Sequence, residues 1–138
     1  MANMKSAIIV SAIIQKGNKY LLGQKLKDTG PYPNCWLLIG GRAYIEKEKL
    51  EESLRREIKE EANIEVKDIK QVYFDEDYRN RKGEMTHLIF LTYLVQYKSG
   101  VEKPGDDIVQ LQWFSKKDLK VIKIAPPSTK LYKHLGWI

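Results

Sequence analysis

A single cysteine and the absence of long apolar runs limit what this chain can be. Cys35 has no partner with which to form a disulfide inside the chain, and this favours a reducing cytoplasm. No histidine lies near Cys35 in the sequence, so a structural role is favoured over a nucleophilic one. The apolar segment at residues 7–14 is shorter than the roughly 18 residues that a membrane helix requires, and it is β-branched like a strand. We therefore expect a soluble, cytoplasmic protein without a secretory leader.

The excess of basic residues does not by itself indicate nucleic-acid binding. Lys and Arg number 24 against 18 Asp and Glu, which gives a net charge of +6. The lysines are scattered along the chain, and no recognised nucleic-acid motif accompanies them. A basic surface is equally suited to attracting anionic nucleotides. A nucleic acid is therefore not the expected partner, and a steep salt dependence of binding to long RNA or DNA would argue for that alternative.

No linker or internal repeat divides the sequence, so we expect residues 1–138 to form one domain. A chain of this length buries about two thirds of the surface of its unfolded state, which is enough for an independent core. Residues 6–15, 19–24, 36–39, 64–74, 86–97 and 108–114 have the composition of strands. Residues 28–34, 75–83 and 99–107 are predicted to be loops, because they are rich in polar residues, glycine or proline.

Helices are predicted in the middle and at the end of the chain. A long helix follows the turn at Gly40-Gly41, and a short helix follows Ser115, which is a suitable N-cap. Pro126-Pro127-Ser128 opens a last helix at residues 129–135. Together these elements predict an α/β fold in which a mixed sheet is covered by helices on both faces. His87 is expected to pack within its strand, and His134 to lie on the surface.

Three carboxylates are concentrated on one face of the predicted central helix. Glu57, Glu60 and Glu61 are three and four residues apart, which places them within about 100° of arc. The apolar residues that repeat on the neighbouring arc, and would dock the helix against a core, are Leu50, Leu54 and Ile58. Like charges at these spacings weaken a helix by about 0.2–0.5 kcal/mol per pair, so a compensating partner is expected.

A hard divalent cation is one candidate for that partner, because Mg²⁺ and Mn²⁺ take oxygen ligands and bridge to substrate phosphates. The alternative is a solvated helix face on which Lys59 and Arg55 offset the acidic charge. Spacing alone leaves both alternatives open. The planar fork of Arg56 can orient a neighbouring carboxylate such as that of Glu57.

The segment as a whole, residues 41–64, resembles the signature box of the Nudix hydrolases. That pattern has a glycine, a glutamate after five intervening residues and, after seven more, an Arg-Glu-aliphatic-x-Glu-Glu-x-Gly-aliphatic stretch. In this chain seven residues separate Glu48 from the matching stretch at residues 56–64. Counted back from Glu48, Arg42 stands at the first glycine position, and Asn63 stands at the second. Either the turn after Gly40-Gly41 is one residue longer than usual, or it carries a side chain where the family has none.

The resemblance implies a fold, a reaction and a cofactor. The fold would be the Nudix α/β/α sandwich, with the central helix as its catalytic helix. The reaction would be metal-dependent hydrolysis of a diphosphate linkage in a nucleoside diphosphate derivative, with Mg²⁺ or Mn²⁺ as the cofactor. By the same resemblance the metal ligands would be Glu57, Glu60, Glu61 and the backbone carbonyl of Gly41. An alternative, motivated by Arg42, is a Nudix-like domain that binds nucleotides without cleaving them.

Further site residues are predicted by resemblance or by residue type. Arg56 would position the carboxylates, and Glu48 would support the loop or add a contact. Many family members take a general base or an extra ligand from the loop before the last strand, which here contains Asp106 and Asp107, although a glutamate of the box is an alternative base. The residues predicted to bind the substrate are Arg42, Arg79 and Arg81 at its phosphates and Tyr44 at its base, with Tyr32, Phe74 and Tyr78 as alternatives to Tyr44. Many relatives are homodimers, and long exposed strands would suit one.

Overall fold

The computed structural model describes residues 5–26 and 32–138, and it describes Arg81 by its backbone alone. The strands are β1 (Lys5–Lys16), β2 (Lys19–Lys25), β3 (Ile39–Arg42), β4 (Glu65–Arg81), β5 (Glu84–Ser99) and β6 (Ile108–Phe114). The helices are α1 (Leu50–Ala62) and α2 (Pro126–His134), and one 3₁₀ turn at Asp118–Lys120 precedes α2. Within the described ranges, no helix combines the length and the apolar character needed to cross a membrane.

β1 lies at the centre of a mixed sheet. The strand order is β4-β5-β1-β2-β6, and β3 also pairs with β1. β1 runs parallel to β5 and antiparallel to β2 and β3. Side chains alternate along a strand, so Val10 and Ala12 belong to the core beneath α1, whereas Ile13 belongs to the core beneath α2. The predicted α/β/α sandwich with a mixed sheet is confirmed.

The predicted loop at residues 75–83 is wrong. β4 continues to Arg81 and pairs with β5 without a register shift from Tyr73 onward. Only Lys82 and Gly83 form the turn, and both have positive φ, 51° and 81°, as a tight two-residue hairpin requires. The polar composition misled the prediction because β4 is an edge strand, where polar side chains face water without interrupting the hydrogen-bond ladder.

The glycine pair also differs from the prediction, because Gly40 and Gly41 belong to β3 and do not form a turn. Gly40 pairs with Ser11 so closely that a Cβ atom would lie 2.2 Å from the carbonyl oxygen of Val10. The strand predicted at residues 36–39 is reduced to isolated bridges from Trp36 and Leu37, to Ile124 and Gly23, followed by Ile39 at the start of β3. The absence of a side chain at residue 40 thus lets β3 lie against β1.

Smaller differences concern the ends of elements. The helix predicted after Ser115 is a single 3₁₀ turn, and Ser115 Oγ accepts a hydrogen bond from the Asp118 N–H at 3.3 Å. α2 begins at Pro126, earlier than predicted, because proline is tolerated in the first turn of a helix. Of the loop predicted at residues 28–34, residues 28–31 lie outside the described residues, and 32–34 form a bend and turn.

The histidine and cysteine predictions have mixed outcomes. His87 packs in part, because its ring stacks on Tyr78 with centroids 4.5 Å apart, and its Nε2 also lies 2.9 Å from Glu76 Oε2. The His87 side chain is 24% exposed, so its packing within the strand is accompanied by a polar contact. His134 is exposed and Cys35 is buried, as predicted.

Candidate active site

α1 packs against the sheet along one stripe, which fixes the direction of its carboxylates. Leu54 and Ile58 are fully buried in the core that α1 shares with β1. At the start of the helix, the Lys49 N–H donates to Glu52 Oε1 at 3.0 Å and so satisfies an otherwise free amide. Asn63 ends the helix in the left-handed conformation, with φ 61°, which Asn tolerates better than most residues.

Gly41 lies against the Glu57 carboxylate with no room for a side chain. A Cβ atom on Gly41 would come within 2.6 Å of Glu57 Cδ and Oε2. Arg42, by contrast, is exposed. The position that must lack a side chain is therefore Gly41, and residues 42–47 separate it from Glu48. The turn is one residue longer than the signature pattern, and the assignment of Arg42 to the glycine position is wrong.

Arg56 divides its donors among three carboxylates. Its Nε lies 3.0 Å from both carboxylate oxygens of Glu48, and its Nη1 donates to Glu57 Oε1 at 2.9 Å. The same Nη1 lies 3.3 Å from Glu60 Oε2, and Nη2 donates to the carbonyl of Arg42 at 3.1 Å. This geometry supports the positioning role that was predicted for Arg56.

The pKa values of Arg56 and of its partners Glu48 and Glu57 are shifted in different directions. Burial acts to lower the pKa of Arg56, but the hydrogen bonds to Glu48 and Glu57 outweigh it and raise that pKa. The Ser53 hydroxyl and then Arg56 lower the pKa of Glu48 against an opposing effect of burial. The pKa of Glu57 is raised, because burial outweighs the attraction of Arg56. Glu57 is thus the less readily ionised partner.

Glu61 is the most strongly buried of the three helix carboxylates, with only 4% of its surface exposed. Its Oε1 accepts a hydrogen bond from the Gly40 N–H at 2.9 Å, which ties α1 to β3. Burial raises the pKa of Glu61 from 4.5 to about 8, Gly40 opposes this, and the charges of Glu57 and Asp107 add to it. A carboxylate in this position favours a compensating cation.

The loop before β6 is anchored on the C-terminal end of α1. The Lys103 N–H donates to the carbonyl of Ala62 at 3.0 Å, and the Gly105 N–H donates to that of Glu61 at 3.1 Å. A Cβ atom on Gly105 would lie 2.2 Å from the carbonyl oxygen of Glu60, so the contact requires glycine. These bonds satisfy carbonyls that have no partner within the helix and bring the next two residues beside Glu61.

Glu61, Asp106 and Asp107 form an acidic cluster, with one oxygen of each lying within 4.8 Å of the others. Lys25 Nζ lies 3.3 Å from Asp107 Oδ2 and brings a positive charge to the cluster. Among the described residues, Glu57 and Glu60 do not belong to this group and face Arg56 instead. The predicted ligands are thus divided between two neighbouring sets of carboxylates.

Comparison with known proteins identifies the family. A family model described as the NUDIX domain matches residues 4–135. The chain belongs to the Nudix family. The nucleoside triphosphatase NudI of Enterobacter sp. (strain 638) is 36% identical over 140 residues, which cover 96% of this chain and 99% of that protein. An ADP-ribose pyrophosphatase of Methanocaldococcus jannaschii is 33% identical over 135 residues, which cover 95% and 74%. The chain is a pyrophosphohydrolase of the Nudix type, as the names of these relatives indicate.

A solved structure supports the Nudix fold. The crystal structure of a MutT NUDIX hydrolase from Burkholderia pseudomallei superposes with a TM-score of 0.74 at 24% identity, over 89% of this chain and 92% of that one. This similarity extends to most of both chains and matches the sandwich described above.

A cleft of this Nudix domain adjoins β3. One lobe, of about 380 Å³, is lined by Gly40, Gly41, Lys25 and Arg79 together with apolar side chains. A second lobe, of about 390 Å³, lies between the sheet and the start of α2. The two lobes share the residues Tyr32, Arg79 and Phe90. These shared residues show that the two lobes adjoin. The first combines cations with aromatic rings, and the second is also lined by Asp75, Glu76 and Asp77.

The predicted substrate residues of the Nudix domain are divided between different surfaces. Arg79 lines both lobes of the cleft. Arg42 and Tyr44 line a separate cavity of about 410 Å³, and the Arg56 guanidinium lies 4.0 Å from the centroid of the Tyr44 ring. The backbone of Arg81 pairs with that of Glu84 at the end of β4. Among the predicted arginines whose side chains the structure describes, Arg79 is the one that lines the cleft.

Sequence reasoning missed Lys25 and Ser53. Lys25 ends β2 and meets Asp107 only because the loop before β6 folds back onto α1, and no local pattern indicates that contact. Ser53 is fully buried beside Leu54 on the apolar stripe of α1. A serine on such a stripe is itself a signal, since a buried hydroxyl needs a hydrogen-bond partner.

Proposed function

We propose that this Nudix hydrolase cleaves a phosphoric anhydride bond in a nucleoside diphosphate derivative, with Mg²⁺ or Mn²⁺ as its cofactor. The observation that carries the proposal is the cluster of Glu61, Asp106 and Asp107, whose ligand atoms are all carboxylate oxygens. Glu61 is hydrogen-bonded to Gly40, which also lines the cleft. An acidic cluster beside a cleft that contains cations suits a polyanionic substrate bound together with a metal ion.

The substrate class is supported by the relatives and by the cleft. One relative is named as an ADP-ribose pyrophosphatase, the other as a nucleoside triphosphatase. Arg79 and Lys25 provide positive charge for phosphate oxygens, and the rings of Tyr32 and Phe90 provide surfaces for a nucleobase. We therefore expect the phosphates to lie in the lobe next to Gly41 and the nucleoside to extend toward α2.

The donor set fits a hard divalent cation. All of its donors are oxygens, and Gly41 has no side chain between its backbone and the Glu57 carboxylate. By the Nudix resemblance, Glu57, Glu60, Glu61 and the carbonyl of Gly41 would hold the ion. Of these, Glu61 also belongs to the carboxylate cluster with Asp106 and Asp107. When bound, such a cation neutralises phosphate charge and makes a water ligand more acidic.

The residues of the chain have separate tasks in this reaction. Water adds to one phosphorus, the bridging P–O bond breaks, and the bridging oxygen leaves on the other phosphate. Arg79 and Lys25 bind the phosphate oxygens, and Asp107 accepts the proton that the water loses. Arg56 keeps Glu57 oriented through the hydrogen bond at 2.9 Å. Orientation and charge, more than covalent chemistry, are what the protein contributes.

A substrate panel tests this function. The purified protein is incubated with nucleoside triphosphates, ADP-ribose and nucleotide sugars, in Mg²⁺, in Mn²⁺ or in chelator, and the products are separated by chromatography. We expect a nucleoside monophosphate from at least one class, formed with either metal and absent in chelator, because the phosphate charges then remain unneutralised.

Compounds without an anhydride bond provide the control. AMP and ribose 5-phosphate carry the same nucleoside and sugar phosphate groups as ADP-ribose, and we expect neither to be hydrolysed. Absence of metal-dependent product from every anhydride in the panel would contradict the proposed function.

A further inference from the structure

The turn between β3 and α1 contains one residue more than the Nudix pattern. Tyr44 makes the contacts that hold this turn in place. The Tyr44 carbonyl accepts hydrogen bonds from the N–H groups of Lys47 and Glu48, each at 2.8 Å. The Tyr44 N–H donates to Ser53 Oγ at 3.2 Å. The Tyr44 ring lies under the Arg56 guanidinium, 4.0 Å from the ring centroid to Cζ. Both backbone groups and the ring of this residue are therefore engaged.

Ser53 joins this turn to the carboxylate network. It is fully buried in the first half of α1. While its oxygen accepts from Tyr44, its hydroxyl donates to Glu48 Oε1 at 2.8 Å. The same Glu48 oxygen accepts from Arg56 Nε at 3.0 Å. The buried hydroxyl of Ser53 thus holds both the backbone of the turn and the Glu48 carboxylate, which accepts the hydrogen bond from Arg56.

Arg56 links Glu48 to two of the candidate metal ligands, Glu57 and Glu60. Its Nη1 bonds to Glu57 at 2.9 Å and approaches Glu60 at 3.3 Å. A guanidinium is planar, so fixing its Nε edge on Glu48 also fixes where Nη1 lies. The contacts form one series from Ser53 through Glu48 and Arg56 to Glu57.

We propose that Ser53 is a positioning residue, which holds the lengthened turn and the Glu48–Arg56 pair so that Glu57 is oriented for a divalent cation. The inference rests on the proposed function for the identity of the ion. Without the hydroxyl, Glu48 loses its shortest hydrogen bond, and the N–H of Tyr44 loses its partner. Arg56 is then held by a less constrained carboxylate. Arg56 is a direct partner of a candidate ligand, and such partners commonly tune a metal's affinity, so Ser53 acts on the ion through Glu48 and Arg56.

The test measures Mn²⁺ binding by the intact protein, from the electron paramagnetic resonance signal of the free ion, for wild type and Ser53→Ala. Alanine is the best helix former, so the backbone of α1 is not penalised. Loss of a partner of the metal's ligands typically costs roughly 10–100-fold in affinity. Ser53 lies two contacts beyond Arg56, which is such a partner, so we expect a smaller loss of about fivefold to tenfold. Where a substrate is known, the concentration of Mn²⁺ at half-maximal rate should rise by the same factor.

Two further variants separate positioning from general stability. Glu52→Ala removes the cap bond to Lys49 in the same turn of α1 but touches neither Glu48 nor Arg56, so it should lower the melting temperature and leave the Mn²⁺ affinity unchanged. In a Glu48→Gln background, Ser53→Ala should weaken Mn²⁺ binding by less than twofold, because residues of one network are not additive.

Each outcome of this test is decisive. Unchanged Mn²⁺ affinity in Ser53→Ala, or equal losses in the wild-type and Glu48→Gln backgrounds, would overturn the role of Ser53. A wild type that binds Mn²⁺, loses affinity on Ser53→Ala and hydrolyses no anhydride would support the role while refuting the proposed function. A wild type that does not bind Mn²⁺ would refute both.

Discussion

Replacing Glu61 with glutamine is expected to reduce metal-dependent hydrolysis by ~1000-fold, because the loss of a ligand forfeits several kcal/mol of charge stabilisation and each ~1.4 kcal/mol is tenfold. Glutamine has nearly the same shape, and its carbonyl oxygen can still accept the hydrogen bond that the Gly40 N–H donates to Glu61 at 2.9 Å. The fold should therefore be retained. Turnover of the substrate identified by the panel, measured with saturating Mg²⁺, provides the test.

The same substitution is expected to stabilise the metal-free protein. Burial raises the pKa of Glu61 from 4.5 to about 8, so the folded state keeps a proton that the unfolded state releases between these values. The free energy of unfolding of the wild type therefore falls as the pH rises through that window and levels off above it. Glutamine does not titrate. Melting temperatures in chelator should thus favour Glu61→Gln by a margin that grows from about pH 4.5 to about pH 8.

Adding the metal should reverse this order, because an ion that binds only the folded wild type stabilises it by mass action. Glu46→Gln is the matched control: Glu46 is an exposed residue of the neighbouring turn, and its replacement should alter neither turnover nor the pH dependence of melting. Full activity in Glu61→Gln, or a lower melting temperature than wild type at every pH in chelator, would contradict this account of Glu61.

Replacing Gly41 with alanine is expected to reduce turnover by about 100-fold, the cost of displacing a catalytic group by roughly 1 Å. The new Cβ atom would lie 2.6 Å from Glu57 Oε2 and 2.7 Å from Oε1, so the carboxylate must swing away from Arg56. Because the crowded atoms belong to the end of a flexible side chain, the protein should still fold. Steady-state kinetics together with a melting curve measures both effects.

Gly40→Ala provides the contrast, since its Cβ would meet the backbone oxygen of Val10 at 2.2 Å and should mainly reduce stability. A second comparison tests the register of the signature. Adding Arg42→Gly to Gly41→Ala should not restore turnover, because Gly41 is the residue that contacts Glu57. Recovery of activity in the double variant would instead indicate that residue 42 occupies the glycine position of the signature.

The central helix and its carboxylates were predictable because the information is local. Periodicity along one helix determines which residues face the core, and Leu54 and Ile58 are buried as their spacing indicates. The edge hairpin was not predictable in the same way. Residues 75–81 are polar because they lie on a sheet edge, and polar composition on an edge strand resembles that of a loop.

Asp106 and Asp107 were predicted by resemblance, but the contacts that bring them into the site join distant segments and could not be predicted. Asp106 and Asp107 reach Glu61 only because Gly105 can lie against the carbonyl of Glu60, a backbone contact that sequence spacing does not reveal. The choice between Gly41 and Arg42 was likewise undetermined, because it depends on where the Glu57 carboxylate lies in space. The structure decides between the two residues, because a Cβ atom at residue 41 would collide with the Glu57 carboxylate.

The central claim is that the carboxylates of α1, together with the carbonyl of Gly41, bind a divalent cation. Crystals of the wild-type protein soaked in Mn²⁺ test it most directly, through the anomalous scattering of the ion. We predict an anomalous peak about 2.1 Å from oxygens of Glu57, Glu61 and the Gly41 carbonyl, the bond length typical of small hard cations. A saturating soak with no peak at these oxygens, or with its strongest peak elsewhere on the protein, would contradict the account.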